Sequence, residues 1–289
     1  MKRWPLIVDP APAAGAWNMA ADEFLFSSLS DSPQTTVRFY RWARPTASLG
    51  YSQDLDRVAD AAYCRANGID IVRRITGGKL VLHHHEVTYA VCSSDTEAFT
   101  ETLADSYRLI SRGLMQGLAR LGIRASLAGP PPPEYVRGTL PCFSHPGLDE
   151  VEWEGKKIIG SAQKREGRKF LQHGSIPLER NEPLLRALSL QDRAPGGLRM
   201  GSLSEAAGRP MDFDSAVKEL AAGLGEFFGV ELAPRSFSPA SLRPGVFPPR
   251  KKPSSAVSNS GVTPTAAGRC AGNPVRLLLF DFSGDMLFF

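Results

Sequence analysis

Residues 141–178 read PCFSHPGLDEVEWEGKKIIGSAQKREGRKFLQHGSIPL. Within this segment, residues 150–153 alternate between polar and apolar side chains, as a half-buried β-strand does. The pair Glu154-Gly155 follows, and an X-Gly pair between two alternating runs is the strongest short-range indication of a β-hairpin. We expect the returning chain to break at Gly160-Ser161, before a second strand that ends at residues 172–175.

The hairpin carries two adjacent lysines, Lys156 and Lys157. Because side chains alternate between the faces of a strand, one lysine is expected to point inward and the other outward. Cys142 lies beside a proline just before the hairpin. A thiol, an inward lysine and a backbone break made of small residues are the groups that acyl transfer through a thioester requires.

The composition is that of a globular protein with a sizeable core: 289 residues, of which 42% are hydrophobic and 22% charged. A formal net charge of +4 does not indicate a nucleic-acid partner, although it leaves room for a local basic face that meets an acidic protein. The four cysteines lie far apart, which argues against a disulfide framework or a zinc site. No run resembles a signal peptide or a membrane span, so we expect a cytoplasmic protein with no membrane partner.

Strand and helix patterns are mixed along the chain, which predicts an α+β fold with a mixed, largely antiparallel sheet flanked by helices. Strands are expected at 6–8, 36–42 and 43–56, on both sides of Gly77-Gly78, after residues 83–86 and at 123–127. Helices are expected at 15–30, 55–67, 96–121, 182–190 and 214–228, and either Asp212 or Asp214 is expected to cap the last of them. In the first helix, Asp22 and Glu23 are expected to lie towards the open face. Residues 1–232 are expected to fold, and residues 233–289 to form a low-complexity, disordered tail.

Residues 73–79, RRITGGK, form a candidate binding loop. Gly77 and Gly78 have no Cβ, so the backbone can approach a ligand closely and present N–H groups to a carbonyl or phosphate oxygen. The alternative is a hairpin turn flanked by solvated basic residues. The loop is not a Walker motif, because the upstream glycine and the following Ser or Thr are missing.

The histidines suggest a pocket rather than a metal site. In a strand, His83 and His85 share a face while His84 points away, so at most two rings reach one ion, and no carboxylate or thiol spacing completes the set. One histidine of the run at 83–85 is expected to line a pocket at the end of a strand, and His173 is either structural or part of the site. Among the thiols, Cys142 is the candidate for chemistry because it lies in a polar loop, the alternative being a small buried hydrophobe.

Four segments resemble the lipoate and octanoate protein ligase-like family. RRITGGKLVLHHHEVTYAV is similar to its RRxTGGxAVLHxxExTYS pattern, and the segment from Cys142 to Ile176 is similar to CFxxPSxxEIxxxGKKIxGSAQxRxxxxxLQHGSI. WNMAADE and RFYRWARPTASLGYSQ also fit, so the resemblance extends over residues 4–228. A cysteine at Cys142, where ATP-using ligases carry an Asn-Asp pair, is typical of the octanoyltransferase branch.

The resemblance implies a biotinyl/lipoyl protein ligase-like catalytic domain over residues 1–232. The implied reaction takes an octanoyl group from acyl carrier protein, through a Cys142 thioester, to a lysine on a lipoyl domain of a 2-oxoacid dehydrogenase or on the glycine cleavage H protein, without a cofactor. Cys142 and Lys157 are the implied catalytic residues. The implied substrate-binding residues are Arg73, Thr76, Gly77, Gly78, His83, Gly160, Ser161, Ala162, His173 and Gly174, and the candidates for an apolar lining are Leu80, Leu82 and Tyr89.

Three other functions are compatible with these residues. In an ATP-dependent lipoate–protein ligase, Lys157 and the loop at 73–78 would hold an acyl-adenylate. In an octanoyl amidotransferase, the donor would be a second lipoyl domain. A non-catalytic binder of acylated proteins would hold the chain without reacting.

Overall fold

The strands of the described residues form two sheets, which lie on either side of a pocket. The computed structural model describes residues 1–100, 102–130, 148–190 and 198–237. The strands are β1 (Lys2–Val8), β2 (Thr35–Tyr40), β3 (Thr46–Leu49), β4 (Asp70–Arg73), β5 (Val81–His83), β6 (Glu86–Ser93), β7 (Ser126–Leu127), β8 (Val151–Trp153), β9 (Lys156–Glu166), β10 (Lys169–Pro177) and β11 (Val230–Pro234). The helices are α1 (Gly15–Ser27), α2 (Leu55–Val58), α3 (Ala61–Ala66), α4 (Leu103–Arg120), α5 (Glu182–Leu188), α6 (Leu203–Ala207) and α7 (Phe213–Phe228). Cys142 and the expected tail beyond residue 237 lie outside the described residues, so the expected domain boundary stays a prediction.

The larger sheet has eight strands in the order β11-β1-β2-β6-β10-β9-β8-β7. The β1 strand pairs in parallel with β11 and β2, whereas the neighbouring pairs from β2 to β7 are antiparallel. The expected α+β class with a mixed, largely antiparallel sheet is therefore confirmed. Helix α6 and strand β11 were not expected, since both are short and lack a clear period.

The two faces of this sheet are covered by different helices. On β6, Val87, Tyr89 and Val91 point into a core that contains α4 and α7, while Ala90 and Cys92 point to the opposite face against Phe26 of α1. This division follows from the two-residue period of a strand. Because β6 is buried on both faces, its sequence reads as a nearly continuous apolar run.

Helices α4 and α7 cross closely at glycines. A Cβ on Gly223 would lie 2.1 Å from the backbone nitrogen of Gly117, and a Cβ on Gly117 would lie 2.6 Å from the Cα of Leu220. The cap of α7 is Asp212, whose side chain accepts a hydrogen bond from the Ser215 backbone N–H. The predicted capping by Asp212 or Asp214 is thus confirmed for Asp212.

The smaller sheet has the order β4-β3-β5. Since β4 and β5 each pair with β3 and not with each other, Gly77-Gly78 is a loop between two edge strands and not the turn of a hairpin. The single helix expected at 55–67 is also wrong. The extended residue Ala59 pairs with Ser189, and Asp60 begins α3 by capping the Tyr63 backbone N–H.

The β-hairpin that the sequence predicts around Glu154-Gly155 is present. Glu154 and Gly155 have φ values of 50° and 71°, the left-handed values that a type I′ turn requires. The expected break at Gly160-Ser161 is wrong, because β9 continues through both residues while pairing with Gly174 and Ser175 of β10. Lys157 is fully buried and Lys156 is half-buried, so one lysine does point inward. Among the helices of the described residues, none is both long enough and apolar enough to cross a membrane.

Candidate active site

A pocket lies between the central strands of the large sheet, helix α1 and the small sheet. It contains about 410 Å³ of space not filled by protein atoms, including its open mouth. Its lining consists of Met19, Tyr40, Ser48, Arg74, Gly78, Val81, His83, Thr88, Gly160, Ser161, Ala162, His173, Gly174 and Ser175.

His173 on β10 is held between a carboxylate and a hydroxyl. Its Nδ1 lies 2.9 Å from Asp22 Oδ2, and its Nε2 lies 2.7 Å from Thr76 Oγ1. Burial lowers the pKa of His173, and the hydrogen bond to Asp22 offsets that effect only in part. The ring is therefore neutral near pH 7, with Nδ1–H donating to Asp22 and Nε2 accepting the hydrogen of Thr76.

Asp22 is buried, so the expectation that it lies towards the open face is wrong. Burial alone would raise its pKa, but the hydrogen bond from His173 and the charge of Arg38 lower it instead. Arg38 Nη1 donates to Asp22 at 2.7 Å, and Arg38 Nη2 donates to Asp9 at 2.6 Å. Tyr40 Oη adds a third donor to Asp22 at 2.8 Å.

His83 has a second arrangement of the same kind. Its Nδ1 lies 2.7 Å from Glu86 Oε1, its Nε2 lies 2.7 Å from Ser48 Oγ, and its ring stacks on Trp42 at a centroid distance of 4.1 Å. Glu86 also accepts hydrogen bonds from the hydroxyls of Thr88 and Ser175. Both histidines thus have a fixed orientation, and both line the pocket.

The loop at 74–79 is shaped by Arg74 rather than by Arg73. Arg74 donates to the carbonyl oxygens of Ser48, Gly77 and Lys79, and its guanidinium lines the pocket. Arg73 instead donates to the carbonyls of Gly50, Tyr51 and Gln53, outside the lining. Gly78 has a φ of 89°, which favours glycine. Neither Gly77 nor Gly78 donates its backbone N–H to another described residue.

Lys157 lies at the start of β9, before an irregularity in the pairing of β8 with β9, where Glu152 pairs with Lys157 but Val151 pairs with Ile159. Its Nζ donates to Glu150 Oε1 at 2.7 Å, and neither side chain is more than slightly exposed. Further along β9, the hydroxyls of Ser161 and Tyr89 are 2.7 Å apart. Burial raises the pKa of Tyr89 to about 12, and the charge of Glu150 adds to this effect.

The structure brings most of the expected substrate-binding residues to one pocket, namely Gly78, His83, Gly160, Ser161, Ala162, His173 and Gly174. Thr76 and Gly77 adjoin it through His173 and Arg74. The three residues expected to form an apolar lining do not line the pocket. Leu80 and Leu82 pack with the small sheet, and Tyr89 packs in the main core. Met19 and Val81 take that place. Cys142 lies outside the described residues.

Sequence reasoning missed the residues that orient the histidines: Asp22, Arg38, Ser48, Glu86 and Ser175. One available indication was a charged residue, Arg38, inside the otherwise apolar strand TTVRFY. Another indication was Glu86, the acidic residue that follows the three histidines. Their partners are distant in sequence, so spacing alone did not connect them.

The fold is that of a lipoate-protein-ligase-like catalytic domain. Two solved structures are similar: lipoate-protein ligase A bound with ATP, at 22% identity and a TM-score of 0.69 over 83% of this chain and 91% of that one, and a bipartite lipoate protein ligase from Thermoplasma acidophilum described with its E2 lipoyl domain, at 20% identity and a TM-score of 0.65 over 83% and 89%. At these identities the likeness shows the fold alone.

The chain belongs to the lipoyl protein ligase A/B catalytic domain family, whose model matches residues 14–225. Similar relatives are the octanoyltransferase LipM of Kyrpidia tusciae, 38% identical over 249 residues that cover 81% of this chain and 90% of the relative, and that of Symbiobacterium thermophilum, 36% identical over 244 residues that cover 80% and 88%. The expected family and the expected acyltransferase class of enzyme are confirmed.

Proposed function

We propose that this acyltransferase moves an octanoyl group from acyl carrier protein to a lysine of a lipoyl domain through a thioester on Cys142. The observation that carries the proposal is the buried ion pair between Lys157 at the start of β9 and Glu150 just before β8, since Gly160 to Ala162 further along β9 form a wall of the pocket. The names of the relatives support octanoyl as the transferred group.

The reaction has two steps. In the first, the Cys142 thiolate attacks the carbonyl carbon of the donor thioester, the bond from that carbon to the carrier sulfur breaks, and the carrier leaves as a thiol. In the second, the neutral amine of the acceptor lysine attacks the new thioester, an amide forms and the Cys142 sulfur leaves.

Lys157 serves both steps through its charge. A cation beside a thiol favours the thiolate, and a donor aimed at the carbonyl oxygen stabilises the negative charge that develops there. Glu150 holds the Lys157 ammonium in one orientation. The backbone N–H groups of Gly77 and Gly78 are further donors for that oxygen.

The pocket suits a medium-length acyl chain. Met19, Val81 and Ala162 supply apolar surface to it. Burial of six or seven methylenes, at about 0.8 kcal/mol each, contributes roughly 5 kcal/mol, which discriminates against short acids. The acceptor amine is the harder problem, since a lysine with a pKa of about 10.4 must lose a proton first. His83 and His173 both line the pocket and both are candidates to accept it.

The acceptor is a lipoyl domain of a 2-oxoacid dehydrogenase or of the glycine cleavage H protein. The solved ligase described together with its E2 lipoyl domain shares the fold and supports an acceptor of that kind. The reaction needs no cofactor and proceeds in the cytoplasm.

The test is an assay with octanoyl acyl carrier protein and an apo lipoyl domain in the absence of ATP, followed by intact-protein mass spectrometry. We expect an octanoyl adduct on the enzyme and then on the lipoyl domain, and neither product with Cys142→Ala. Product that requires ATP and a free acid would identify a ligase instead. Product that forms only from an octanoylated lipoyl domain would identify an amidotransferase, and tight binding without an adduct would identify a non-catalytic binder.

A further inference from the structure

The hydrogen bonds around His83 have a fixed direction. A carboxylate only accepts, so the hydrogen of the neutral His83 ring lies on Nδ1, which donates to Glu86. His83 Nε2 is then an acceptor, and Ser48 Oγ, which accepts from Arg74 Nη1 at 3.0 Å, donates its own hydrogen to it. The chain Ser48–His83–Glu86 is therefore set to pass a proton from the hydroxyl to the imidazole.

Glu86 is held as a carboxylate by three donors. Trp42 Nε1 only donates, so Thr88 Oγ1 accepts from it and gives its own hydrogen to Glu86. Ser175 Oγ gives its hydrogen to the other carboxylate oxygen at 2.5 Å. An anion beside Nδ1–H stabilises the imidazolium that forms when Nε2 accepts a proton.

The pairing of β9 with β10 places His83 and His173 at different distances from Lys157. Ser175, which contacts Glu86, pairs with Gly160, whereas His173 pairs with Ala162. At about 3.4 Å per residue, Gly160 lies about 10 Å along β9 from Lys157, and Ala162 lies about 17 Å from it. The His83 chain is therefore on the side of the pocket nearer to Lys157.

The hydroxyl partners of the two histidines, Ser48 and Thr76, also differ in their position relative to the pocket. Ser48 lines the pocket, whereas Thr76, the partner of His173, does not. Ser48 borders the pocket although it is buried from bulk solvent, so an amine that fills the pocket lies beside it.

We infer that Ser48, His83 and Glu86 form the relay that removes the proton from the acceptor lysine. This inference rests on the proposed function. The lysine N–H bond breaks as Ser48 Oγ takes that hydrogen, and the hydroxyl hydrogen of Ser48 passes to His83 Nε2. The neutral amine then attacks the thioester, its second proton leaves with the Cys142 sulfur, and His83 returns its proton to solvent. Ser48 is the catalytic residue of this relay, and Glu86 is a positioning residue.

Other titratable and charged groups surround His83. They are Glu86 on β6, His173 on β10, Arg74 in the loop through Ser48, Tyr40 on β2 and the adjacent His84. A single change at His83 therefore needs a neighbouring control. His84→Gln is that control, because His84 does not line the pocket.

The test separates loading of the enzyme from its discharge. Wild type, His83→Gln, Ser48→Ala and His84→Gln are loaded with octanoyl acyl carrier protein, and discharge onto an apo lipoyl domain is followed against pH. Discharge is expressed per loaded enzyme, so a change of loading in the two relay variants does not enter the comparison, and His84→Gln is expected to load as wild type does. We expect discharge near neutral pH to fall about 100-fold in His83→Gln and Ser48→Ala, with the deficit shrinking as the pH approaches the pKa of lysine, while His84→Gln matches wild type.

Hydroxylamine supplies the second readout, since it is uncharged at neutral pH and needs no base. It should discharge wild type and both relay variants at equal rates. Three results would overturn the relay alone. They are equal discharge onto the lipoyl domain in wild type and His83→Gln, a rate of discharge by hydroxylamine that is also lower in the relay variants, and an acyl group found on Ser48. If wild type forms no adduct, the proposed function falls and the relay falls with it.

Discussion

The His173 Nδ1 and Asp22 Oδ2 atoms lie 2.9 Å apart, although 151 residues separate the two side chains in sequence. The contact joins the pocket strand β10 to helix α1. Arg38 extends it to Asp9 at the end of β1. One side of the pocket is therefore fixed by a buried chain of ionised and neutral groups.

Stability should depend on pH through this contact. The pKa of His173 is lowered from 6.5 by burial, so below pH 6.5 the unfolded chain binds a proton that the folded protein does not. Stability is fully present above that pH and falls as the pH drops towards the lowered value. The lowered pKa of Asp22 acts in the same direction at more acidic pH.

The measurement is the urea midpoint of wild type and His173→Gln from neutral pH to about pH 5. We expect the midpoint of wild type to fall with acid and that of His173→Gln to fall less over the same interval. A wild-type midpoint that does not change would contradict this account.

Arg38→Met should destabilise the protein strongly. The change leaves Asp9 and Asp22 buried without their cation, a situation that costs about 3–5 kcal/mol. Arg57→Met, at a side chain 85% exposed and 3.6 Å from Asp54, is the matched control and should change stability little. Chemical denaturation of both variants decides the point, and similar losses in the two would show that the Arg38 contacts are not stabilising.

Gly223→Ala should destabilise by about 1–3 kcal/mol, because the added methyl meets the backbone of Gly117 where α4 and α7 cross. At Gly113 the nearest atom is the end of a side chain, Leu224 Cδ2, at 2.8 Å, so Gly113→Ala should cost less. Thermal unfolding of the pair tests the order. A larger loss at Gly113 would mean that the backbone contact is not the limiting one.

Lys157→Met should abolish transfer and also reduce stability, since it leaves Glu150 largely buried beside an apolar group. Adding Glu150→Gln removes the negative charge that faces the new apolar side chain. The double variant should therefore regain stability while transfer stays lost. Denaturation midpoints and the ATP-free assay, run on both variants, separate the two roles; activity in the double variant would remove Lys157 from the mechanism.

Local features of the fold followed well from sequence. The Glu154-Gly155 turn needs only two residues that accept a left-handed conformation, and the α7 cap needs only an acid three positions before the N–H that it accepts. The break expected at Gly160-Ser161 failed for a tertiary reason. Gly160 and Ser161 pair with Ser175 and Gly174 of β10, and this pairing keeps the strand continuous.

The candidate site was predicted in part. The loop glycines, His83 and His173 were identified, whereas Asp22 was assigned to the wrong face. Helical spacing shows which residues share a face but not whether that face is open. His173 and Arg38, both distant from α1 in sequence, explain why an acid is tolerated inside.

The one-to-one pairing of residues 160–166 of β9 with residues 169–175 of β10 restricts how this chain can vary. Insertion of a single residue within either segment would exchange the inside and outside of every position on one side of the insertion, so the pocket wall would turn the wrong way. We therefore expect length changes within these segments of homologous strands to be absent or to come in twos, whereas the turn at 154–155 can change in length.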